Sequence, residues 1–183
     1  MPRIPPFTAR GLLPPGDHAA TFAELRASPL VFGPPGRPQE WDEDWRAHLV
    51  DQAEALVRQL WAVGVADVFL DGSFVEDKPH PNDVDGYFTV DVRRLASGEL
   101  QRSLNALDPH GVWTWDPAAR RPYRGYTKRQ LPMWHAYRVE LYPHYDQLSG
   151  IRDARGHALT FPSAFRTVRL TDEEKGIVRL VQD

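Results

Sequence analysis

Cysteine is missing from this 183-residue chain, which excludes a disulfide framework, a thiolate zinc site and a cysteine nucleophile together. Any metal must therefore rest on carboxylates or histidines. Long hydrophobic runs are missing as well: no stretch approaches the ~18 apolar residues of a membrane span, and the opening MPRIPPFTAR lacks the continuous apolar segment of a secretory signal. A cytoplasmic location without membrane contact is the expectation. Charge of one sign is scarce too, since a formal net charge of -3 gives no general attraction to nucleic acid. Such a partner would need a local basic patch. What the chain does have is 42% hydrophobic and 11% aromatic content, enough for one sizeable core.

Proline is concentrated at the start, where residues 1–38 hold nine of the 17 prolines, as in GLLPPG and FGPPGRP. Proline removes backbone donors and freedom, so an irregular arm over 1–38 packed on a single domain over 39–183 is expected. Within the arm, Thr21 as N-cap with Glu24 three residues on predicts one short helix. From Trp41 to Val63 the apolar residues recur at helical spacing behind an acidic first turn, and Gly64 marks the stop. Strands follow in VADVFLDG and DVDGYFTVDV. Strict alternation in the second puts Asp83, Asp85, Tyr87 and Thr89 on one face and Val84, Phe88 and Val90 on the other. A helix broken near Ser97–Gly98, a strand over 136–142 carrying Arg138 and Glu140 on one face, and a last strand over 177–181 complete the expectation. The implied class is α/β (α+β), a mixed sheet with helices mainly on one face.

The chemistry concentrates in FLDGSFVEDKPHPNDVDGYFTV. Two carboxylates two positions apart on a strand stand about 6 to 7 Å apart at their Cα atoms, and like charges that close repel unless a cation neutralises them. Oxygen-only ligation favours Mg2+ or Mn2+, and magnesium typically takes one or two carboxylates and fills its other positions with water and substrate phosphate. Gly72 and Ser73 supply a complementary end: glycine lets backbone approach a phosphate, and the hydroxyl with neighbouring amides can hold its oxygens.

Gly72-Ser73, nine intervening residues and Asp83-Val84-Asp85 together resemble the signature of the polymerase-β-like nucleotidyltransferase superfamily. GLLPPGDH, DGSFVEDKPHPNDVDG, YRVELYP and KGIVRL resemble, more narrowly, a family of small bacterial proteins within it to which no reaction is attached. The resemblance implies a nucleotidyltransferase-type fold, a nucleoside triphosphate held at Gly72, Ser73 and Lys175, and Mg2+ (or Mn2+) on Asp83, Asp85 and a third acid. Glu140, between Val139 and Leu141 on a predicted strand, is that third acid. The implied reaction moves a nucleotidyl group to a hydroxyl acceptor on an RNA end, a protein or a small molecule, with pyrophosphate leaving. Small stand-alone members resemble components of toxin-antitoxin or defence modules. Asp71 departs from the pattern, which usually has an apolar residue before the glycine.

Plainer readings compete with these. Gly72-Ser73 also suits an ordinary turn, Asp83 a turn cap after Pro81-Asn82, and Glu140 an ion pair with Arg138 or Arg124. Asp85 resists such a reading, because aspartate is disfavoured inside a strand. Lys78, Lys128 and Arg129 suit solvent, Trp113 and Trp115 suit a core, and YRGYTKRQ is the one basic and aromatic segment. The alternative function is a catalytically silent protein of the same fold serving as a binding or antitoxin partner, marked by an Arg138 or Arg124 salt bridge that fills the metal position.

Overall fold

Helical spacing of apolar residues produces the longest element, α3 (Glu43–Ala62), which buries Leu49, Val50, Ala53, Leu56, Val57 and Leu60 along one stripe. Asp42 caps it by accepting from the Trp45 N–H at 2.9 Å, so the helix starts two residues later than its periodicity suggests. The computed structural model describes residues 4–168 and 171–182, and the first three residues of the Pro-rich segment lie outside it. That segment does more than pack on the core. It supplies strand β1 (Asp17–Ala20), helix α1 (Phe22–Arg26) and helix α2 (Pro29–Phe32). The expected capping box begins α1, with the Glu24 N–H donating to Thr21 Oγ1 at 3.2 Å and the Thr21 N–H donating to Glu24 Oε2 at 2.9 Å.

Further along come β2 (Val68–Asp71), a 3-10 turn over Gly72–Val75, β3 (Val84–Thr89), α4 (Val92–Ala96) and α5 (Glu99–Leu107). Gly98 separates the last two at φ +72°, as the Ser97–Gly98 break predicts. Next are α6 (Pro132–Tyr137), β4 (Val139–His144), a hairpin of β5 (Leu148–Arg152) and β6 (Ala158–Thr160), α7 (Phe161–Phe165) and β7 (Ile177–Leu180). The strand expected over 136–142 is thereby corrected. Its first residues finish α6, and Arg138, at φ +56°, makes the turn into β4. Arg138 does not share Glu140's strand face; its guanidinium lies over the rings of Tyr123 and Trp134, 4.4 and 4.0 Å from their centroids.

One mixed sheet runs in the order β1-β7-β2-β3-β4, with β1 parallel to β7, β7 antiparallel to β2, β2 antiparallel to β3, and β3 parallel to β4. The chain is thus a mixed α+β protein. Val68, Leu70, Val84, Phe88, Val139, Leu141, Val178 and Leu180 point to one side and join the core under α1, α2, α3, α5 and α6. Phe69, Tyr87 and Ile177 point to the other, where Phe165 of α7 covers them in a smaller aromatic layer. Among the described residues no helix is long and apolar enough to cross a membrane.

Candidate functional site

The second face of the sheet carries acids because strand register puts them there. Asp71 is the Cα partner of Asp85 across the antiparallel β2–β3 pair, and Asp85 is the partner of Glu140 across the parallel β3–β4 pair. Registered partners share a face, so three carboxylates stand in a row over three adjacent strands. Asp83, two residues before Asp85, joins them from the entry to β3. Glu140 therefore occupies the face expected of it, beside Asp85.

Gly72 turns the chain at the end of β2 with φ +77°, a conformation that L side chains rarely adopt. It also lies against the site: a Cβ there would come within 2.8 Å of Asp85 Oδ2. Ser73 follows it, half-buried in the 3-10 turn beside the acids. Arg46 of α3 secures this loop from below. Its buried guanidinium donates to the carbonyls of Phe74 and Lys78, the latter at 2.7 Å, and to Leu30 of α2, while burial lowers its pKa to about 9.

The acids differ in their neighbours. Asp71 is buried, and the buried Lys175 ammonium lies 3.3 Å from its Oδ1, 2.7 Å from Glu76 Oε1 and 3.5 Å from the Gly72 carbonyl. Burial pushes Asp71 up to about 7 against the pull of Lys175, whereas the two carboxylates hold Lys175 above the usual ammonium value despite its own burial. Lys175, expected to hold substrate phosphate, instead has its ammonium shared between two carboxylates and set against the Gly72 carbonyl. Asp85 is pushed up to about 8, first by desolvation and then by the Asp83 charge, with Lys128 opposing. Asp83 is also raised by burial, although the Trp134 indole N–H donates to its Oδ2 at 2.7 Å.

Glu140 behaves in the opposite way. Its buried carboxylate accepts from the Leu131 N–H at 3.0 Å, Lys128 Nζ at 3.1 Å, Arg120 Nη1 at 3.3 Å and the Tyr142 hydroxyl. Burial raises it, yet these four donors together hold it below the usual carboxylate range. The expected ion-pair partners, Arg138 and Arg124, are replaced by Arg120 and Lys128.

Among the described residues no three acidic or histidine side chains converge closely enough to cage a metal ion. A two-carboxylate site is a different arrangement. Asp83 and Asp85 are half-buried oxygen donors crowded by like charge, a pairing that suits a hard divalent cation. Sequence reasoning missed Arg46, Trp134 and Arg120 as parts of this site, because each reaches it from a segment distant in sequence; it also missed Tyr142, which alternation along β4 places on the same face as Glu140, two residues away. Trp113 belongs to the core, and Trp115 is partly buried against it.

A model of a family of unknown function, DUF6932, matches residues 5–181. No curated protein and no solved structure matches the chain.

Proposed function

We propose that this chain, which belongs to that family of unknown function, is a metal-dependent nucleotidyltransferase with a nucleotidyltransferase-type fold. The observation that carries the reading is the registered row Asp71, Asp85 and Glu140, with Gly72 folded against the Asp85 carboxylate. A glycine turn beside paired strand acids has no evident structural purpose, since it gathers like charges that repel and leaves Asp85 reluctant to ionise.

In this reading Asp83 and Asp85 hold Mg2+ or Mn2+. The metal supplies charge neutralisation and Lewis-acid polarisation of a nucleoside triphosphate's phosphates. Gly72 and Ser73 receive phosphate oxygens, and Lys175 fixes the turn by binding Asp71 and the Gly72 carbonyl. An acceptor hydroxyl oxygen bonds to the α-phosphorus, the bond from that phosphorus to the bridging oxygen breaks, and pyrophosphate departs with that oxygen. The hydroxyl proton passes to a carboxylate of the row. Glu140 can take it only when Lys128 and Arg120 move aside, because their donors occupy its oxygens.

That occupancy favours a second reading, a silent protein in which Lys128 and Arg120 permanently stand in for a cation. Incubating the chain with each α-labelled nucleoside triphosphate, magnesium or manganese, and total RNA or protein separates the two. Transfer of label is expected, abolished by Asp85→Asn and reduced ~100-fold by Glu140→Gln. No label with any triphosphate and either metal would leave the silent reading standing.

A further inference from the structure

Residues 117–139 hold six arginines and lysines and no acidic residue, in a chain whose net charge is -3. This basic run forms the rim of the acid row. The Arg121 and Gln130 backbones pair in both directions at 2.8 Å, closing residues 122–129 into an exposed loop, and Arg120 Nη1 donates to the Arg129 carbonyl at 3.0 Å. Lys128 reaches from the loop to Glu140. Among the described residues Arg121, Arg124 and Arg129 have no carboxylate within ion-pair distance, and all three are exposed. Tyr123, 38% exposed, and Tyr126 meet edge-on at 5.4 Å between centroids, and both rest on Trp134 at 5.0 and 5.3 Å. Trp134 in turn donates to Asp83.

We propose that this loop is the docking surface for a single-stranded RNA whose end is the nucleotidyl acceptor, with Arg121, Arg124 and Arg129 on its phosphates and Tyr123 and Tyr126 against its bases. The acceptor role rests on the proposed transfer reaction, while the docking itself does not. Uncompensated cations within a few residues of one exposed and one half-buried ring match what single strands require: phosphate neutralisation with counterion release, and sequence-tolerant stacking. RNA is favoured over DNA because a ribose end presents two vicinal hydroxyls to the carboxylates and a deoxyribose end only one. The phosphates would also compete with Glu140 for Lys128, so docking would remove one of the four donors that occupy that carboxylate.

The test is fluorescence anisotropy with a labelled single-stranded RNA of about 12 nucleotides, without triphosphate or divalent metal, beside the same sequence as DNA, heparin and an acidic peptide. Omitting the reaction components keeps this outcome separate from that of the transfer assay. RNA is expected to bind best, with log affinity falling against log salt at a slope to which the three arginines contribute about -2. Replacing all three by alanine should remove that contribution and weaken binding at least ~10-fold. Tyr123→Ala with Tyr126→Ala should weaken RNA ~10-fold and leave heparin unchanged, while phenylalanine at both positions restores RNA. Circular dichroism checks that each variant folds. Equal loss of RNA and heparin in the tyrosine variant, preference for the acidic peptide, equal affinity for DNA, or no binding at low salt each overturns the proposal.

Discussion

Two cations flank the acid row, and they are built differently. On the β2 side Lys175 is 6% exposed and its partner Asp71 3%, so the pair lies inside the protein. On the β4 side Lys128 is 57% exposed and approaches a fully buried Glu140 from a surface loop. A buried ammonium between two carboxylates cannot leave without stranding charge in a poorly solvated place, whereas an exposed lysine exchanges its partner for water at little cost. The first contact is therefore structural and the second displaceable. Asp85, between them, has neither as a hydrogen-bonded partner and bears the repulsion of the row.

The sharpest way to break this contrast is Lys175→Met at pH 8, where Asp71, pushed up to about 7, is mostly ionised. The variant leaves that buried carboxylate without its cation, for an expected loss of about 3 kcal/mol. Urea unfolding measures it, and the loss should shrink toward pH 5, where Asp71 takes up a proton instead. A change under ~1 kcal/mol at pH 8, the level of an exposed pair, would show that Asp71 and Lys175 do not form the structural contact.

A smaller effect comes from the middle of the row. Asp85 ionises near 3.8 when unfolded and near 8 when folded, so from about pH 4 to 8 the unfolded chain releases this proton first. The folded acid's raised value means stability drains as pH rises across that window. Asp85→Asn has no proton to lose there. Its stability relative to the native chain should climb between pH 4 and pH 8 by on the order of 1–3 kcal/mol, even as transfer is abolished. Magnesium should raise the native chain's unfolding midpoint at pH 8 and leave the variant's unchanged. If the two stability profiles run parallel, the row is not strained by its own charge.

Much of this site is legible in local sequence, and the limits follow from range. The spacing from Gly72 to Asp85 is local, and alternation alone sends Asp85 and Glu140 to one face once Val139 and Leu141 are buried. What alternation omits is where a strand begins: Ala136 and Tyr137 look extended, yet Pro132 opens a helix that ends only at Arg138. Strand β1 hides among prolines because its four residues have little hydrophobic signal and are ordered by pairing with β7, far along the chain. Arg46 sits at a buried helical position where its charge argues for solvent, and carbonyls from two other segments, α2 and the Phe74–Lys78 loop, with the nearby Asp77 charge make burial tolerable. Likewise, Arg120 and Lys128 reach Glu140 through a loop closed by the Arg121–Gln130 bridge, and ion-pair partners across such a loop have no local code.

Lys128→Met tests the other side of the comparison, and its expected effect on stability is the smallest. The native side chain is more than half exposed, and Glu140 keeps Arg120, the Leu131 N–H and the Tyr142 hydroxyl when it is removed. A loss below ~1 kcal/mol is expected, since exposed pairs are screened and their side chains are costly to order. Arg120 has less freedom, because the same guanidinium also donates to the Arg129 carbonyl and the Tyr142 hydroxyl. Methionine keeps the length and apolar stem of lysine without its charge, so urea unfolding isolates the ion pair from packing. Single-stranded RNA binding should weaken a few-fold, with the salt slope shallower by about 0.7, the share of one phosphate contact. A stability loss as large as that of Lys175→Met would mean that Lys128 is fixed in place, and that Glu140 is never freed to accept a proton.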